Sequence, residues 1–389
     1  MNLKKSLSLL VVSILSVGFF GCGGGGNNGS SAIATTTSGN FKDANVIGVQ
    51  YKSGSQSGLT GTQGNYICEN GKNITFSIGK VVLGSVPCNT LITPIDLISN
   101  GNINNVGVIN IVRFLTALDD DGNVSNGMNI TSKIRTLADA WTNIDFTSST
   151  FDTDTNVTVI FNDIQNNIGP RHSLPTAAVA KAHLQSTLRC AYSGAFAGNY
   201  TGGDTGGVGA LISPIDGTML IVGYSDSLQS YFSGQGTQSF QLDSTRNIQG
   251  STVTGATFNG TINSVNSVSG TWNNTGVTGN WKVTRIGGAT DAKYRVVGGY
   301  NNTNGAVGLF SFDIDTSNHI TGIAYNTFED KKYTISGTFN GRDINATASD
   351  GTIISANFDP LAGTITNAQL SNTVQSTSGT FTGSGCALN

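Results

Sequence analysis

From residue 193 to the end of the chain, large apolar residues return every second position, with Thr, Ser or Asn between them. Thr257-Phe258-Asn259-Gly260-Thr261-Ile262-Asn263 and Tyr333-Thr334-Ile335-Ser336-Gly337-Thr338-Phe339 show the pattern, with Gly taking some of the inner places. Successive side chains of a strand point to opposite faces, so this alternation predicts antiparallel strands with one buried face and one wet face.

The same stretch duplicates itself. Ala197-Gly198-Asn199-Tyr200 is answered by Val297-Gly298-Gly299-Tyr300, Val208-Gly209-Ala210-Leu211 by Val307-Gly308-Leu309-Phe310, and Ile215-Asp216 by Ile314-Asp315. Gly223 is answered by Gly322, Ala256-Thr257-Phe258 by Ala356-Asn357-Phe358, and Gly279-Asn280-Trp281 by Gly379-Thr380-Phe381. A sustained period of this kind predicts two copies of one β-meander, over 193–288 and 289–389. Each copy has room for about six to eight strands. A meander removes its exposed edges by closing into a barrel or by pairing two sheets, and the two copies could each close or share one barrel.

Residues 45–192 read differently. Val46 to Tyr51, Ser57 to Thr60, Gly64 to Tyr66, Ile74 to Gly79 and Val81 to Gly84 are short β-branched and aromatic runs separated by Gly, which predict a small antiparallel β-sandwich. Val108, Ile111, Val112, Leu115 and Leu118 then recur at three- and four-residue spacing and predict an amphipathic helix over 105–118. A short helix is expected over Leu137 to Trp141, and another over Ala177 to Leu188 with Pro175 just ahead of it. These helices are expected to cover one side of the strands. The fold class is therefore mainly β: an α+β module followed by two tandem β-meanders, as barrels or sandwiches. The order of strand, Gly-Leu-Thr turn and Gly-x-Tyr strand resembles transthyretin-like, carboxypeptidase-regulatory modules. With its ITFSIG, VVLG and ITPIDL phrases, Asn45 to Leu118 also resembles the N-terminal module of uncharacterised bacterial surface lipoproteins.

The first 21 residues carry Lys4 and Lys5, then an apolar run from Leu7 to Phe20, too short to span a bilayer and patterned as an export signal. Their end resembles the lipobox of bacterial lipoprotein precursors: Gly21 and Cys22 fit its last two positions, while Phe19 and Phe20 depart from the usual aliphatic and small residues. The resemblance implies cleavage before Cys22, a lipid on Cys22 and a membrane partner reached through that lipid. Gly23 after the cysteine is compatible with outer-membrane sorting, facing the periplasm or the cell exterior. Residues 22–44 are mostly Gly, Ser, Thr and Asn and are expected to be a flexible tether.

Charge changes the picture by exclusion. Only 11% of residues are charged and the formal net charge is −3, which gives no basic footprint for nucleic acid. Five cysteines are an awkward number for an exported chain. With Cys22 lipidated, four remain; Cys68 and Cys88 are neighbours in one module, and Cys190 with Cys386 follows by elimination. An oxidising compartment would hold both pairs as disulfides.

Candidate chemistry is sparse. Asp119-x-Asp121-x-Asn123, with Asn126 beyond, sets oxygens at alternate positions after a helix and is a candidate calcium site, since hard cations take six to eight oxygens. Val124 and Ile130 stand where a calcium loop needs its turn glycine and bidentate Glu, and the competing reading is a helix-ending turn. Asp152-x-Asp154-x-Asn156 is a weaker instance of the same spacing. Of three histidines, His183 is expected to pack beside a helix's apolar face and His172 to lie at the surface, with His319 the third. No hydrolase elbow or zinc-protease motif occurs. Tyr200, Tyr300 and Trp281 recur between the copies, which suits core positions, whereas Trp272 has no aromatic counterpart and is the better ligand-binding candidate. The expected function is a surface binding or adhesion module with a glycan or surface protein as partner; the alternatives are an architectural envelope subunit and, third, a polymer hydrolase.

Overall fold

The structure, a computed structural model, describes residues 34–236, 242–289, 292–303, 307–326 and 329–388. The stretch read as an export signal, Cys22 and most of the stretch read as a tether lie outside the described residues.

The N-terminal module contains β1 (Thr36–Phe41), β2 (Val46–Ile47), β3 (Gln50–Ser53), β4 (Gln56–Leu59), β5 (Asn65–Glu69), β6 (Asn73–Ile78), β7 (Val81–Pro87), β8 (Leu91–Ile92) and β9 (Met128–Asn129). They form a four-stranded sheet ordered β4-β3-β6-β7, a three-stranded sheet ordered β5-β1-β8 and a β2-β9 pair. The sheets meet where Phe41 of β1 stacks on Phe76 of β6 at 4.5 Å and Tyr66 of β5 meets Phe76 edge-on at 5.4 Å. Strand β1 lies inside the stretch read as tether. Its sequence, TTSGNF, carries little apolar signal, and its order comes from pairing with β5 on one side and β8 on the other.

Four α-helices follow: α1 (Val106–Ala117), α2 (Ser132–Ala138), α3 (Thr155–Asn167) and α4 (Ala177–Tyr192). Asn105 caps α1, accepting from the amides of Gly107 and Val108, and Thr176 caps α4 through Val179. The short helix expected over 137–141 lies earlier, because Thr131 caps α2 and its periodic residue Ile134 faces the core. Helix α1 is buried on nearly every side rather than on one stripe. Ile111, Phe114, Leu115 and Leu118 belong to the core of the N-terminal module, whereas Val108, Ile109 and Val112 belong to a second core with Ala180, Leu184 and Leu188 of α4. That second core continues into the first barrel, so the helices do more than cover the strands.

The duplicated region forms two separate closed antiparallel barrels of eight strands. The first runs through β10 (Gly194–Gly202), β11 (Gly206–Ile212), β12 (Met219–Ser225), β13 (Ser230–Gly236), β14 (Asn247–Thr252), β15 (Thr257–Ser264), β16 (Ser267–Asn274) and β17 (Val277–Ile286). The second runs through β18 (Ala292–Asn302), β19 (Val307–Asp315), β20 (His319–Asn326), β21 (Lys331–Phe339), β22 (Asp343–Ala348), β23 (Ile353–Asp359), β24 (Thr364–Asn372) and β25 (Thr377–Ala387). Each strand pairs with the next, and β17 and β25 return to β10 and β18.

The ladder also corrects the counterparts. Tyr200 lies opposite Trp281, and Tyr300 opposite Phe381, as the repeat predicts. Val208, however, lies opposite Gly198, and Phe310 opposite Gly298, so the partner of Val208 is Phe310 rather than Val307. By the same reasoning Gly223 answers Ala324 and Phe258 answers Ile354. Hairpin lengths differ between the copies, so a fixed offset holds only where the barrel closes.

The barrels touch along their sides through Ala195, Ala197, Ile286, Leu309 and Tyr325. Both expected disulfides have bonding geometry: Cys68–Cys88 with Cα atoms 5.6 Å apart and Cys190–Cys386 with Cα atoms 5.8 Å apart. The first joins β5 to the end of the hairpin strand β7, and the second ties α4 to β25. No described helix is long and apolar enough to cross a membrane.

Candidate functional site

Inward positions of the first barrel alternate between large aromatics and glycine. Phe232, Phe258 and Trp272 each lie over an inward glycine of a neighbouring strand, Gly223, Gly250 and Gly279 respectively, and Trp281 reaches across Gly270 to Gly260, two strands away. A Cβ on any of these four glycines would come within 2.2 to 2.5 Å of the ring above it. The glycine content of this region is therefore a packing device: a small barrel accepts four large rings in its wall because nearby strands offer bare backbone.

This arrangement leaves a cavity of about 320 Å³ open at one end. Its wall includes Tyr200, Val208, Ile221, Phe258, Trp272 and Trp281, and its rim includes Asp204, Ser225, Ser227 and Asn274. At the opposite end Tyr192, Ile248, Ile262 and Val268 join residues of α1 and α4 in one core, which closes the base. Arg285 secures that plug: its guanidinium donates to the carbonyls of Val265, Ala191 and Ser193 and lies 5.1 Å from the Phe196 ring. Arg246 adds a second tie, donating to Tyr192 Oη at 2.6 Å and pairing with Asp96.

The rim is organised by Asp204. Its Oδ2 accepts from Tyr200 Oη at 2.9 Å and from Ser225 Oγ at 2.7 Å, and its Oδ1 from the amides of Thr205 and Ser227. Burial works against ionisation of Asp204, but the hydrogen bonds from Ser225, Ser227, Thr205 and Tyr200 outweigh it and hold the carboxyl below its ordinary pKa. Burial, followed by the hydrogen bond and charge of Asp204, pushes the Tyr200 phenol up. Tyr200 is thus a neutral donor fixed toward the mouth.

Trp272, the ligand-binding candidate read from the sequence, lines this cavity. Its Nε1 donates to Thr201 O at 3.1 Å, and its ring meets Tyr200 edge-on at 5.9 Å. Its counterpart is Leu370, since Trp272 lies opposite Gly279 and Leu370 opposite Gly379. Tyr200 and Trp281, read from the sequence as core positions, line the same cavity. The available signal was their recurrence, which marks the interior of a barrel, and that interior serves as both core and pocket.

The second barrel holds a smaller cavity of about 170 Å³ at the corresponding end, lined by Tyr300, Phe310, Tyr333 and Phe381 with Glu329, Lys331 and Asp350 toward its mouth.

The remaining sequence candidates fall elsewhere. After α1, Asp119 is buried and accepts the Asn129 amide at 2.8 Å, with its carboxyl pushed up by burial. Asp121 accepts from the Asn123 amide and from Asn126 Nδ2, both at 2.8 Å, and Asn123 accepts from Ser125 Oγ at 2.6 Å. The Asp121 and Asn123 oxygens are used within this turn, while Asp119 Oδ2 is buried without a hydrogen-bond partner. Among the described residues no group of three or more His, Cys, Asp or Glu is placed to hold a metal. Asp154 of the weaker spacing is the N-cap of α3, accepting from Asn156 and Val157 amides. The expectation of a surface His172 is overturned: it is buried, with Nδ1 3.0 Å from Ala117 O at the end of α1. His183 faces buried Asp43, and His319 is exposed beside Asp315.

No family model, curated protein or solved structure matches the chain.

Proposed function

We propose that this protein is a lipid-anchored binding module of a bacterial cell envelope, and that its first barrel holds a small, largely apolar molecule. The cavity of the first barrel carries this reading: it is open at one end, closed by helices at the other, walled by aromatic and aliphatic side chains, and rimmed by a few fixed polar groups. Eight-stranded barrels of this size hold a single small ligand, and an apolar wall with few oriented polar groups is the usual composition of such sites. The ligand's apolar body lies against Phe258, Trp272 and Trp281, and a polar end meets Tyr200, Ser225 and Asp204. Anchoring is the part supported by the Cys22 lipobox resemblance, and an anchored barrel would work beside a membrane surface.

The test is titration of the purified protein with N-phenyl-1-naphthylamine, a neutral probe that brightens in apolar sites. One saturable site per chain is expected, with a matching change in tryptophan emission. Absence of saturable binding, or a signal untouched by Trp272→Leu, would remove the reading.

A further inference from the structure

The two barrels carry different chemistry at equivalent mouth positions. Ser225 pairs with Ser230 before the turn in β12–β13, and Asn326 with Lys331 in β20–β21, so Lys331 replaces Ser230 and Glu329 replaces Leu228. In the next-but-one turn the Ala256 carbonyl accepts from Thr252 N and the Thr352 carbonyl from Ala348 N, which puts Asp350 where the first barrel has Thr254. Phe232 is replaced by Tyr333 on the wall, since they lie opposite Gly223 and Ala324. Three neutral positions of the first mouth, which keeps Asp204 as its carboxylate, have become two carboxylates and one ammonium.

The carboxylates act on the cavity interior. Tyr333 Oη donates to Glu329 Oε2 at 3.0 Å, which ties its phenol to the mouth. Burial, then Glu329 and then Asp350, push the Tyr333 phenol up to about 12, and Tyr300 is raised by burial with Tyr333, Asp350 and Glu329 adding to it. Lys331 lies 3.8 Å from Glu329 with both side chains well exposed, a pair that solvent screens. The described lining keeps an excess of one negative charge over a cavity walled by Tyr300, Phe310, Tyr333 and Phe381. Aromatic faces attract cations, more strongly when water is excluded.

We propose that the second barrel is a separate site for a small organic cation, an alkylated ammonium group seated against Tyr300 and Tyr333 between the carboxylates of Glu329 and Asp350. The proposal shares the reading of these barrels as ligand-holding bodies, but it concerns another cavity and another ligand class. Its volume, about half that of the first cavity, suits a compact head group rather than an extended apolar body.

The experiment compares choline with 3,3-dimethylbutan-1-ol, which has the same shape and no charge, by calorimetry on the purified intact protein. Choline is expected to bind at least about tenfold more tightly, equal to about 1.4 kcal/mol, and to weaken as salt is added. Glu329→Gln combined with Asp350→Asn should abolish the preference, while Lys331→Ala should strengthen choline binding. N-phenyl-1-naphthylamine binding to the first barrel, measured on the same variants, should not change. Equal affinity for the two compounds, binding of neither, or a preference that survives the double substitution would overturn the proposal. Loss of naphthylamine binding alone would count only against the first-barrel reading.

Discussion

Nε2 of His183 on α4 lies 3.3 Å from Oδ1 of Asp43, whose carboxylate is wholly buried and has no other partner among the described residues. Burial raises the Asp43 pKa, with His183 offsetting part of the rise. Burial of the His183 ring opposes its protonation, but the charge and hydrogen bond of Asp43 outweigh this and hold its pKa above the ordinary 6.5. A histidine raised in the folded state contributes stability that is fully present below the unfolded value and lost as pH rises through the folded value. The unfolding free energy is therefore expected to fall as pH rises above about 6.5, measured by urea unfolding at several pH values. Asp43→Asn should flatten that slope. His183→Ala should destabilise the protein by about 3 kcal/mol, because it leaves a buried carboxylate without its counter-charge.

Trp272→Leu installs the residue that the second barrel carries at the equivalent wall position. The fold should survive, since Leu370 fills that place in an otherwise similar barrel. Naphthylamine affinity should drop by about tenfold, the scale of one lost aromatic contact with its share of buried area. Unchanged affinity in a folded variant would place the ligand elsewhere.

Gly260→Ala tests the packing of rings on glycine. Its Cβ would lie 2.4 Å from the Trp281 ring and 2.6 Å from the Ser269 carbonyl oxygen, with backbone on one side and a locked indole on the other. A loss of about 1–3 kcal/mol is expected in thermal or urea unfolding, the usual cost of overpacking. Gly255→Ala is a weaker control: nothing lies within 4 Å, but φ is +91°, so only the backbone strain of that turn is felt.

Cys386→Ser should lower stability by about 2–5 kcal/mol, because Cys190–Cys386 closes a 196-residue separation. Reduction of the wild-type chain should cost more than the substitution, because it also opens Cys68–Cys88, and reduction of the variant should cost only the share of that second bridge. Peptide mapping without reductant should recover Cys190 and Cys386 in one linked species.

Calcium at micromolar concentration should leave the melting temperature unchanged. Asp119, Asp120 and Asp121 bring carboxylates to the loop after α1, but Asp119 is buried and accepts the Asn129 amide, and Asp121 is occupied by Asn123 and Asn126. An ion that binds the native state must raise the melting temperature. A rise of several degrees at that concentration would show that the turn opens to a cation.

Strand periodicity made both meanders legible, because one wet face of Thr and Asn and one apolar face alternate through β15 and β21. Closure of each copy on itself was not legible, since β10 pairing with β17 depends on contacts between positions some eighty residues apart. The α3 helix was missed for a local reason: Asp154 and Asn156 read as ligand spacing, and Asp154 proves to be a cap. Arg113 illustrates the tertiary part. It sits in the middle of α1 and is buried because Pro175 O, Asn110 and Asp152 receive its guanidinium, partners that no periodicity announces. Trp272 was visible as the unmatched aromatic, while Tyr200 and Trp281 were hidden by the regularity that placed them inside the barrel.

The Cys190–Cys386 bridge also decides how the molecule would carry a pull. Tension applied between the N-terminal module and the end of the chain passes along α4 to Cys190, across the sulfur bond, and out through the last residues of β25. Residues 191–385, which include nearly all of both barrels, lie off that path. Stretching would strain the N-terminal sheets before it reached either cavity, and an intact disulfide would keep the barrels' chain length from being paid out.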